Sequence, residues 1–576
     1  MDLKTDDHDV VLGIDAGGTH TDAVICADGR LAGRAKVRTE QDDLPGCIGR
    51  VLDELRKDAG GAWFDRVRRV TLGTTLLVNA AVQNRLDPVG LALSAGPGLA
   101  PARFAMGGSV CVTPGGLDHR GVEVTPLDLA LLGKAAALWR EQGVTAFACV
   151  GKFSPRNPLH EKAMGEVLSA ANPYAAVTLG HHISGELNFP RRIASAYYNS
   201  ASLRLHNAFL DAVQNVLAER GCQAPVFLLR ADGGAIPLAA SRPLPVHSLL
   251  SGPAASVMGV MALSRETDEG CSLLLDMGGT TTDLAVLVDG SPVLDQDGML
   301  LGGRRTLVRS LATVSLGVGG DSLLTPENGA VRVGPLREGP AMAFGGVRAT
   351  LLDALNVLNE AGPDSTAGSV GQSRRGMEEI AAALGTEPKR AAELAWADAA
   401  AKIDAARAGL VAAVNERPIY TLRELREHRD AVPIRVAMVG GPAHCVRGRL
   451  EKALALPVSA VAESDVANAV GAALTRPSAR LEVYADTGRG TLLAPSLDVR
   501  EDLPRQASLS YVKDRALALL ARRLEDEGAA GASLEVLSAD LFATLSDSGR
   551  GSRDMRVVCQ AVPGLTARLA DAGKGE

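Results

Sequence analysis

The strongest constraint on this chain is an eight-residue phrase that occurs twice. The first copy, DAGGTHTD, spans residues 15–22, and the second, DMGGTTTD, spans residues 276–283 and is identical at six of the eight positions. Each copy lies between two apolar runs, which predicts a strand, a tight glycine turn and a second strand. These two turns are termed the first bend and the second bend. A purely structural hairpin does not need the same acid and hydroxyls twice, so the duplication favours a functional role.

The residue types in the two bends predict phosphate binding. Paired glycines let backbone N–H groups approach a phosphate closely, and threonine hydroxyls add further donors. An aspartate would repel phosphate unless a cation lies between them, so Mg²⁺ is predicted together with the phosphate. Two such hairpins, one in each half of the chain, predict a nucleotide held in a cleft between two related domains.

Length and charge restrict the class of protein. A chain of 576 residues exceeds what one hydrophobic core usually supports, so we expect two to four domains. The net charge of −7 gives no electrostatic footprint for nucleic acid. The polar, acidic N-terminus lacks the layout of a signal peptide, and no apolar run approaches the ~20 residues that span a bilayer. The sequence therefore predicts a cytoplasmic protein with neither nucleic acid nor membrane as a partner.

The eight cysteines are scattered without a C-x-x-C pair. Most lie in apolar, strand-like surroundings, such as Cys26 and Cys149. This context predicts buried thiols rather than a disulfide framework or a zinc site.

Strand and helix patterns alternate along most of the chain, which predicts an α/β architecture with helices packed on mixed sheets. A helix is expected from an N-cap at Thr125 to Gly143. A second α/β unit is expected to begin near Pro225, with a strand at residues 226–229, and to include the second bend. The last hundred residues have the texture of a small α+β region.

Several phrases, taken together, resemble the actin-like ATPase superfamily and, within it, the hydantoinase A/5-oxoprolinase family. Besides the two bends they are the LGTT turn at 72–75 with Asn79, GLDHRG at 116–121, SGPAA at 251–255, AFGG at 343–346, and a late strand that ends at Gly440 and Gly441. The match runs in order from about residue 10 to about residue 475. It implies two actin-like (ribonuclease H-like) ATPase domains, at residues 1–195 and 196–475, with mixed sheets flanked by helices. A small C-terminal α+β region would follow at residues 476–576.

The resemblance also implies roles for individual residues. Asp15 and Asp276 would hold hydrated Mg²⁺, or orient the attacking group, from opposite walls of the cleft, and with Glu186 they form the candidate catalytic set. The start of the helix near residues 251–253 would offer backbone donors. The candidate ATP-binding residues are Gly17, Gly18, Thr19, Thr21, Gly73, Thr74, Thr75, Gly278, Gly279, Thr280, Thr281, Gly319, Gly320, Gly440 and Gly441.

The chain departs from the family pattern at residues 317–322, GVGGDS, where members usually show three glycines and a serine. Asp321 adds a carboxylate there. Two roles stand open for it: indirect binding of the metal, or capping of the following turn. Many members are also clearly longer at the C-terminus, which leaves the substrate class and the docking of partners undetermined by the resemblance.

Four further residues are weaker candidates for chemistry. His119, His181 and His182 are expected in loops after apolar strands, where a histidine is more often a surface hydrogen-bonding residue than a catalyst. Glu186 matches an acidic position of the family. It would act as a base or line the cleft, or else be only a charge at the entry to a helix.

Three classes of function follow from the resemblance. The first is ATP-dependent opening of a small cyclic amide, such as a hydantoin or a 5-oxoproline-like lactam, through a phosphorylated carbonyl. The second is a subunit of an acetone- or acetophenone-type carboxylase, and the third is a nucleotide-dependent module that reactivates a partner enzyme. Family members commonly pair with a hydantoinase B-type companion subunit. The sequence leaves open whether this chain does so, and whether it forms homo-oligomers.

Overall fold

The computed structural model describes residues 10–569 except 60, 95, 296, 361–363, 417–429, 530 and 546–550. Within these residues the chain forms an α/β fold with four larger sheets and several two-stranded ribbons. The helices are Leu44–Ala59, Leu76–Val82, Ala130–Glu141, Leu159–Ala171, Gly180–Ile183, Phe189–Glu219, Leu238–Ser241, Ser251–Leu263, Leu351–Asn359, Val370–Leu384, Pro388–Asn415, Ala443–Leu454, Ala467–Leu474 and Leu509–Asp526.

The first sheet carries the first bend at its centre. Its strands, in order across the sheet, are Ala235–Pro237, Val226–Leu229, Val67–Thr74, Val10–Ala16, His20–Ala27 and Arg30–Arg38. The strand Val10–Ala16 is antiparallel to His20–Ala27, as the hairpin pattern predicts, and parallel to Val67–Thr74. The apolar residues of the two strands that form the bend, Val10–Ala16 and His20–Ala27, are buried, whereas most of the edge strand Arg30–Arg38 is at least partly exposed.

The second sheet repeats this arrangement around the second bend. Its strands, in order, are Ser291–Pro292, Thr282–Val288, Cys271–Met277, Arg435–Val439 and Val458–Ala460, with Thr313–Leu316 also paired to Thr282–Val288. The bend again joins two antiparallel strands, and a parallel strand again follows on the far side. The mixed α/β class, with two related sheets that each carry one bend, is therefore confirmed.

A third sheet lies apart from these two and is wholly parallel, in the order Ala176–Leu179, Ala146–Gly151, Val89–Ser94 and Ser109–Thr113. The long helix Phe189–Glu219 connects it to the first sheet. The N-terminal half of this helix packs on the third sheet through residues such as Phe189 and Ile193, whereas Leu210 and Val213 further along pack on the first. The helix begins at Asn188, whose side chain accepts a hydrogen bond from the N–H of Arg191.

The C-terminal region is a five-stranded antiparallel sheet with one helix, Leu509–Asp526, packed on it. Its strands, in order, are Val499–Asp502, Thr491–Ala494, Arg480–Asp486, Gly551–Ala561 and Leu534–Leu545. It has its own buried cluster of apolar residues, which includes Leu481, Val512 and Val557.

Two expectations about elements were wrong. The strand Val226–Leu229 does not open the second unit; it pairs in parallel with Val67–Thr74 and so completes the first sheet. An apolar strand carries no signal for which of two sheets it joins. The helix expected from Thr125 begins instead at Ala130, because Glu123–Thr125 forms a short strand against Gly116–Leu117.

Two short helices cross between the first and second sheets, Ser251–Leu263 and Ala467–Leu474. Their backbones touch at glycine: a methyl group on Gly471 would overlap the carbonyl of Ala255 and the backbone of Gly259. A methyl group on Gly13, in the central strand of the first sheet, would likewise overlap the carbonyl of Ala469. Because protein interiors pack this densely, the crossing fixes the two sheets, and hence the two bends, relative to each other.

All eight cysteines are free and buried, which confirms the prediction of buried thiols. In the part of the chain that the structure describes, no helix combines the length and the hydrophobicity needed to cross a bilayer.

Candidate functional site

The two bends face each other in near-contact. A methyl group placed on Gly279 would lie 3.6 Å from Cγ2 of Thr19. Each bend is closed by one backbone hydrogen bond: the N–H of Gly17 donates to the carbonyl of His20 at 3.1 Å, and that of Gly278 donates to the carbonyl of Thr281 at 2.9 Å. The glycine–threonine segments of both bends thus lie on one cleft, as the duplicated phrase predicts.

Asp15 is the most isolated acid of the first bend. Its side chain is 5% exposed, and its Oδ1 has no hydrogen-bond partner among the described residues. Burial raises the pKa of Asp15 to about 7, with further increases from the charges of Asp22 and Asp276 and an opposing hydrogen bond from Asn468. A buried carboxylate with an unpartnered oxygen is costly unless a cation compensates it.

Asp22 occupies the last position of the first bend and is paired differently. The ammonium of Lys36, on the neighbouring strand, lies 2.9 Å from its Oδ1. The pKa of Asp22 is still raised to about 6, because burial outweighs the attraction to Lys36. The lysine therefore neutralises only part of the negative charge around the first bend.

The first aspartate of each phrase, Asp15 or Asp276, is termed the inner acid, and the last, Asp22 or Asp283, the outer acid. In the second bend the inner acid is held by hydrogen bonds. Oδ2 of Asp276 accepts from the hydroxyl of Ser256 at 2.5 Å and from the amide of Asn468 at 3.4 Å, and burial raises its pKa. The outer acid, Asp283, has an Oδ1 with no partner among the described residues. Its pKa is raised to about 7, chiefly by burial and then by the charge of Asp276.

These four carboxylates concentrate negative charge at the bends, where the inner acids Asp15 and Asp276 could hold a hydrated divalent cation. They outnumber the one lysine paired with them, and the unpartnered Oδ1 of Asp15 supplies the hard oxygen donor that Mg²⁺ prefers. Asp15 and Asp276 share the amide of Asn468 between them, so they lie on one small patch of the cleft. The donor set is all oxygen, which suits Mg²⁺ rather than a softer metal.

At several glycines the backbone passes close to the inner acids or to the second bend. A Cβ on Gly73 would lie 2.8 Å from Oδ1 of Asp15, and one on Gly440, at φ +100°, would lie 2.8 Å from Oδ1 of Asp276. A Cβ on Gly319 would lie 2.7 Å from the carbonyl of Gly278. At Gly73, Gly319 and Gly440, therefore, a side chain would displace an acid or the second bend. Gly441 faces open space.

The predicted G-T-T turn lies beside the first bend. The N–H of Thr75 donates to the carbonyl of Ala16 at 3.2 Å, and Thr75 precedes the helix Leu76–Val82. The hydroxyl of Ser251 donates to the carbonyl of Thr74 at 2.9 Å. The turn thus joins the first bend to the start of the helix Ser251–Leu263, where backbone donors were expected.

Of the predicted residues, Thr21 is not open to the cleft. It is fully buried, and its hydroxyl is hydrogen-bonded to the hydroxyl of Thr39 at 2.9 Å. Side chains alternate along a strand, so Thr21 points away from the cleft into the sheet packing. Its counterpart Thr282 is buried in the same way and donates to the carbonyl of Val318.

Asp321 lies against the second bend, and its carboxylate has partners of its own. It accepts from the N–H of Ala341 at 3.1 Å and forms an ion pair with Arg337 at 3.0 Å. Its N–H donates to the carbonyl of Gly279 at 2.7 Å. These contacts anchor Asp321 to the second bend and bring Arg337 to the cleft. The two predicted roles of Asp321, indirect metal binding and capping of the following turn, stay predictions.

Glu186 and the predicted histidines are not gathered at the bends. The carboxylate of Glu186 pairs with Arg480 at 2.9 Å and lines a cavity of about 360 Å³ that includes none of the bend residues. His119 lines an adjoining cavity of about 370 Å³. His181 and His182 lie in the short helix Gly180–Ile183 rather than in a loop, and His181 is fully buried.

Sequence reasoning missed several residues of the site. Asp22 and Asp283 had a signal, since both end the duplicated phrase, whereas the partners Lys36, Ser256, Asn468 and Arg337 had none. The pKa of His20, in the first bend, is lowered to about 4 by burial and by the charges of Lys36, Arg337 and Arg38. Positive charge thus lies near His20, although Lys36 is paired with Asp22 and Arg337 with Asp321.

Comparison with known proteins identifies the family of the chain. The family model described as Hydantoinase/oxoprolinase matches residues 192–480, and that of the Hydantoinase/oxoprolinase N-terminal region matches residues 11–171. Caprolactamase subunit alpha of Pseudomonas jessenii is 25% identical over 476 residues, which cover 74% of this chain and 64% of that protein. Acetophenone carboxylase gamma subunit of Aromatoleum aromaticum is 25% identical over 440 residues, covering 66% and 58%. The chain thus spans less than two thirds of either relative.

A solved structure shares the fold over nearly the whole chain. The nucleotide-free structure of acetone carboxylase superposes with a TM-score of 0.70 at 16% identity, covering 98% of this chain and 88% of that one. At this identity the likeness concerns the fold alone. With one family model matching half of the chain and a second matching most of the remaining N-terminal part, the chain belongs to the hydantoinase/oxoprolinase family.

Proposed function

We propose that this protein uses ATP to open a small cyclic amide, such as a hydantoin or a 5-oxoproline-like lactam. One observation carries the proposal: the first bend, with the buried carboxylate of Asp15 and its unpartnered oxygen, lies in near-contact with a second bend of nearly the same sequence. Membership of the hydantoinase/oxoprolinase family supports it.

The chemistry that needs ATP is the activation of an unreactive carbonyl. The amide oxygen would attack the γ-phosphorus; the bond from that phosphorus to the bridging oxygen would break, and ADP would leave. Water would then add to the carbon of the phosphorylated amide, and cleavage of the C–N bond would open the ring and leave an acyl phosphate. A second water would convert the acyl phosphate into carboxylate and inorganic phosphate.

The residues of the cleft would act by positioning and charge neutralisation. Backbone N–H groups near Gly17 and Gly278, with the hydroxyls of Thr19 and Thr280, would donate to phosphate oxygens. Gly440 and Gly441 would lie against the adenosine. Asp15 and Asp276 would hold hydrated Mg²⁺, which supplies neutralisation of the phosphate charge.

Glu186 is given no part in phosphoryl transfer, because its carboxylate lies in a different cavity and pairs with Arg480. The role of that residue as a base in ring opening stays a prediction. A companion subunit of the hydantoinase B type is proposed as the partner. Two of the relatives are named as subunits of larger enzymes, which supports this part of the proposal.

The test is the release of ADP from Mg-ATP in the presence of a panel of hydantoins and lactams, with the chain alone and with its companion subunit. We expect at least one ring to accelerate ADP release in step with appearance of the opened product. The Asp15→Asn variant is the matched control and is expected to be inactive with the same ring. No ring-stimulated ADP release in either setting would refute the proposal.

A second candidate function is ATP-dependent carboxylation of a ketone. The observation that favours it is the 25% identity to acetophenone carboxylase gamma subunit, equal to the identity with caprolactamase subunit alpha. Bicarbonate separates the two candidates. Carboxylation requires it for product formation, whereas ring opening proceeds in bicarbonate-free buffer.

A further inference from the structure

A cluster of metal-binding side chains lies outside the nucleotide cleft, at the junction of the third sheet and the C-terminal sheet. His181 and His182 lie directly after the strand Ala176–Leu179, and Asp498 follows the turn Pro495–Leu497. One ligand atom from each of the three lies within 4.8 Å of the other two. We propose that His181, His182 and Asp498 form a site for one divalent transition-metal ion, Zn²⁺ by its donor chemistry.

The spacing of the donor atoms suits a tetrahedral ion. Nε2 of His181 lies 3.2 Å from Oδ1 of Asp498, and Nε2 of His182 lies 2.8 Å from Oδ2. Zinc–ligand bonds of about 2.0–2.1 Å at tetrahedral angles place ligand atoms about 3.3 Å apart. The two imidazoles and one carboxylate therefore need only small movements to enclose a metal.

A buried carboxylate behind the cluster orients His181. The fully buried Glu161 accepts a hydrogen bond from Nδ1 of His181 at 2.5 Å, and its other oxygen accepts from the N–H of Gly151 at 2.8 Å. A proton held on Nδ1 leaves the lone pair on Nε2, which faces Asp498. Zinc-ligating histidines typically have this carboxylate partner on the ring nitrogen that does not bind the metal.

The histidine ligands give this site a different metal preference from that of the nucleotide cleft. Imidazole suits zinc and similar transition metals, whereas the all-oxygen acids of the two bends suit Mg²⁺. Three protein ligands leave a fourth position for water. His182 and Asp498 are 38% and 39% exposed, so an ion can enter from solvent.

Lys162 is the competing cation. Its ammonium lies 2.8 Å from Oδ1 of Asp498, the oxygen that also faces His181. The lysine is 45% exposed and can swing into solvent when a metal replaces it. Two kinds of substitution should therefore change the metal affinity in opposite directions. Removal of the lysine charge strengthens metal binding, whereas removal of a ligand weakens it.

The experiment is a titration of the full chain with Co²⁺, followed by displacement with Zn²⁺, in excess Mg²⁺ that fills the oxygen-only sites. We expect the visible absorption of tetrahedral cobalt at one ion per chain. His182→Ala and Asp498→Asn are expected to weaken binding about 100-fold or more, and Lys162→Met to strengthen it several-fold. The matched control is Glu123→Gln: Glu123 pairs with His160 at 2.9 Å without a second histidine, so its loss leaves binding unchanged.

Both positions chosen for ligand removal are partly exposed, and retention of the wild-type far-ultraviolet circular dichroism would show that the variants fold. Zinc is expected to raise the melting temperature of the wild type and not that of Asp498→Asn. Cobalt binding that lacks tetrahedral bands, or that His182→Ala and Asp498→Asn leave unchanged, would overturn the site. Weaker cobalt binding by Lys162→Met than by the wild type would also count against it.

Discussion

The two bends share six of eight residues, yet their acids are satisfied in opposite ways. In the first bend the inner acid, Asp15, has an unpartnered oxygen, and the outer acid, Asp22, is paired with Lys36. In the second bend the inner acid, Asp276, is held by hydrogen bonds, and the outer acid, Asp283, has the unpartnered oxygen. The duplicated phrase thus supplies the same side chains to both bends. The neighbouring residues determine which acid of each bend keeps an unpartnered oxygen.

This difference assigns distinct tasks to the inner acids. An acid with a free buried oxygen gains most from a cation, so Asp15 is the stronger candidate to contact Mg²⁺ or the attacking group. Asp276 has its position fixed by Ser256 on one crossing helix and Asn468 on the other, so it is the more rigid wall. Four pairs of substitutions test this comparison of the two bends, from the largest expected effect to the smallest.

Replacement of the inner acids is expected to have the largest effect. Asp15→Asn should lower Mg-ATP turnover by about 10³-fold, because it removes the uncompensated charge that a cation needs. Asp276→Asn should cost less, about 10²-fold, since neighbouring donors still hold the amide in place. Steady-state ADP release measures both, and ADP binding in EDTA serves as the control for folding. A larger loss from Asp276→Asn would reverse the assignment.

Replacement of the outer acid of the second bend is expected to stabilise the apo protein. The folded-state pKa of Asp283, about 7, lies above its ordinary value of 3.8, so the folded protein binds this proton more tightly than the unfolded chain. That contribution is fully present below pH 4 and is lost as the pH rises through about 7. Asp283→Asn should therefore raise the free energy of unfolding by about 2 kcal/mol at pH 8 and by little at pH 4.

Denaturant unfolding at the two pH values measures this difference. Asp22→Asn is the matched control at the equivalent position of the first bend. It removes an ion pair with Lys36 as well as a buried charge, so its gain at pH 8 should be smaller. Equal gains from the two variants would mean that Lys36 does not distinguish the outer acids.

The first glycines of the two bends are expected to differ in their tolerance of a methyl group. A Cβ on Gly17 would lie 2.9 Å from the carbonyl of His20, whereas one on Gly278 would lie 3.5 Å from the carbonyl of Thr281. Gly17→Ala should therefore destabilise the fold by about 1–2 kcal/mol, and Gly278→Ala by much less. Thermal melts of both variants measure the difference. Equal melting temperatures would show that the first bend relaxes around the methyl group.

Sequence reasoning reached the fold class and the bends, because glycine turns and apolar runs are local signals. It failed where the outcome depends on contacts between distant segments. The sequence of the strand Val226–Leu229 does not indicate which sheet it joins. The sequence around Thr21 likewise does not indicate whether its hydroxyl faces phosphate or Thr39. Asn468 lies 192 residues from Asp276, so no spacing could reveal that its amide joins the inner acids. A sequence can therefore predict phosphate loops, but not the distant residues that set the position and the pKa of their acids.

The smallest effect is expected from the hydroxyl that fixes the second bend. Ser256→Ala removes the 2.5 Å hydrogen bond to Asp276, which should cost about 1 kcal/mol of stability at pH 8. Since that bond lowers the pKa of Asp276, its loss should raise the pKa further. A protonated carboxyl no longer attracts the cation. The pH below which Mg²⁺-dependent ADP binding weakens should therefore be higher in the variant than in the wild type. Calorimetry of Mg-ADP binding from pH 6 to pH 8 measures the shift, and Ser256→Thr, which keeps a hydroxyl, should restore the wild-type profile. A profile that stays unchanged in Ser256→Ala would show that Asn468 alone is enough to hold Asp276 ionised.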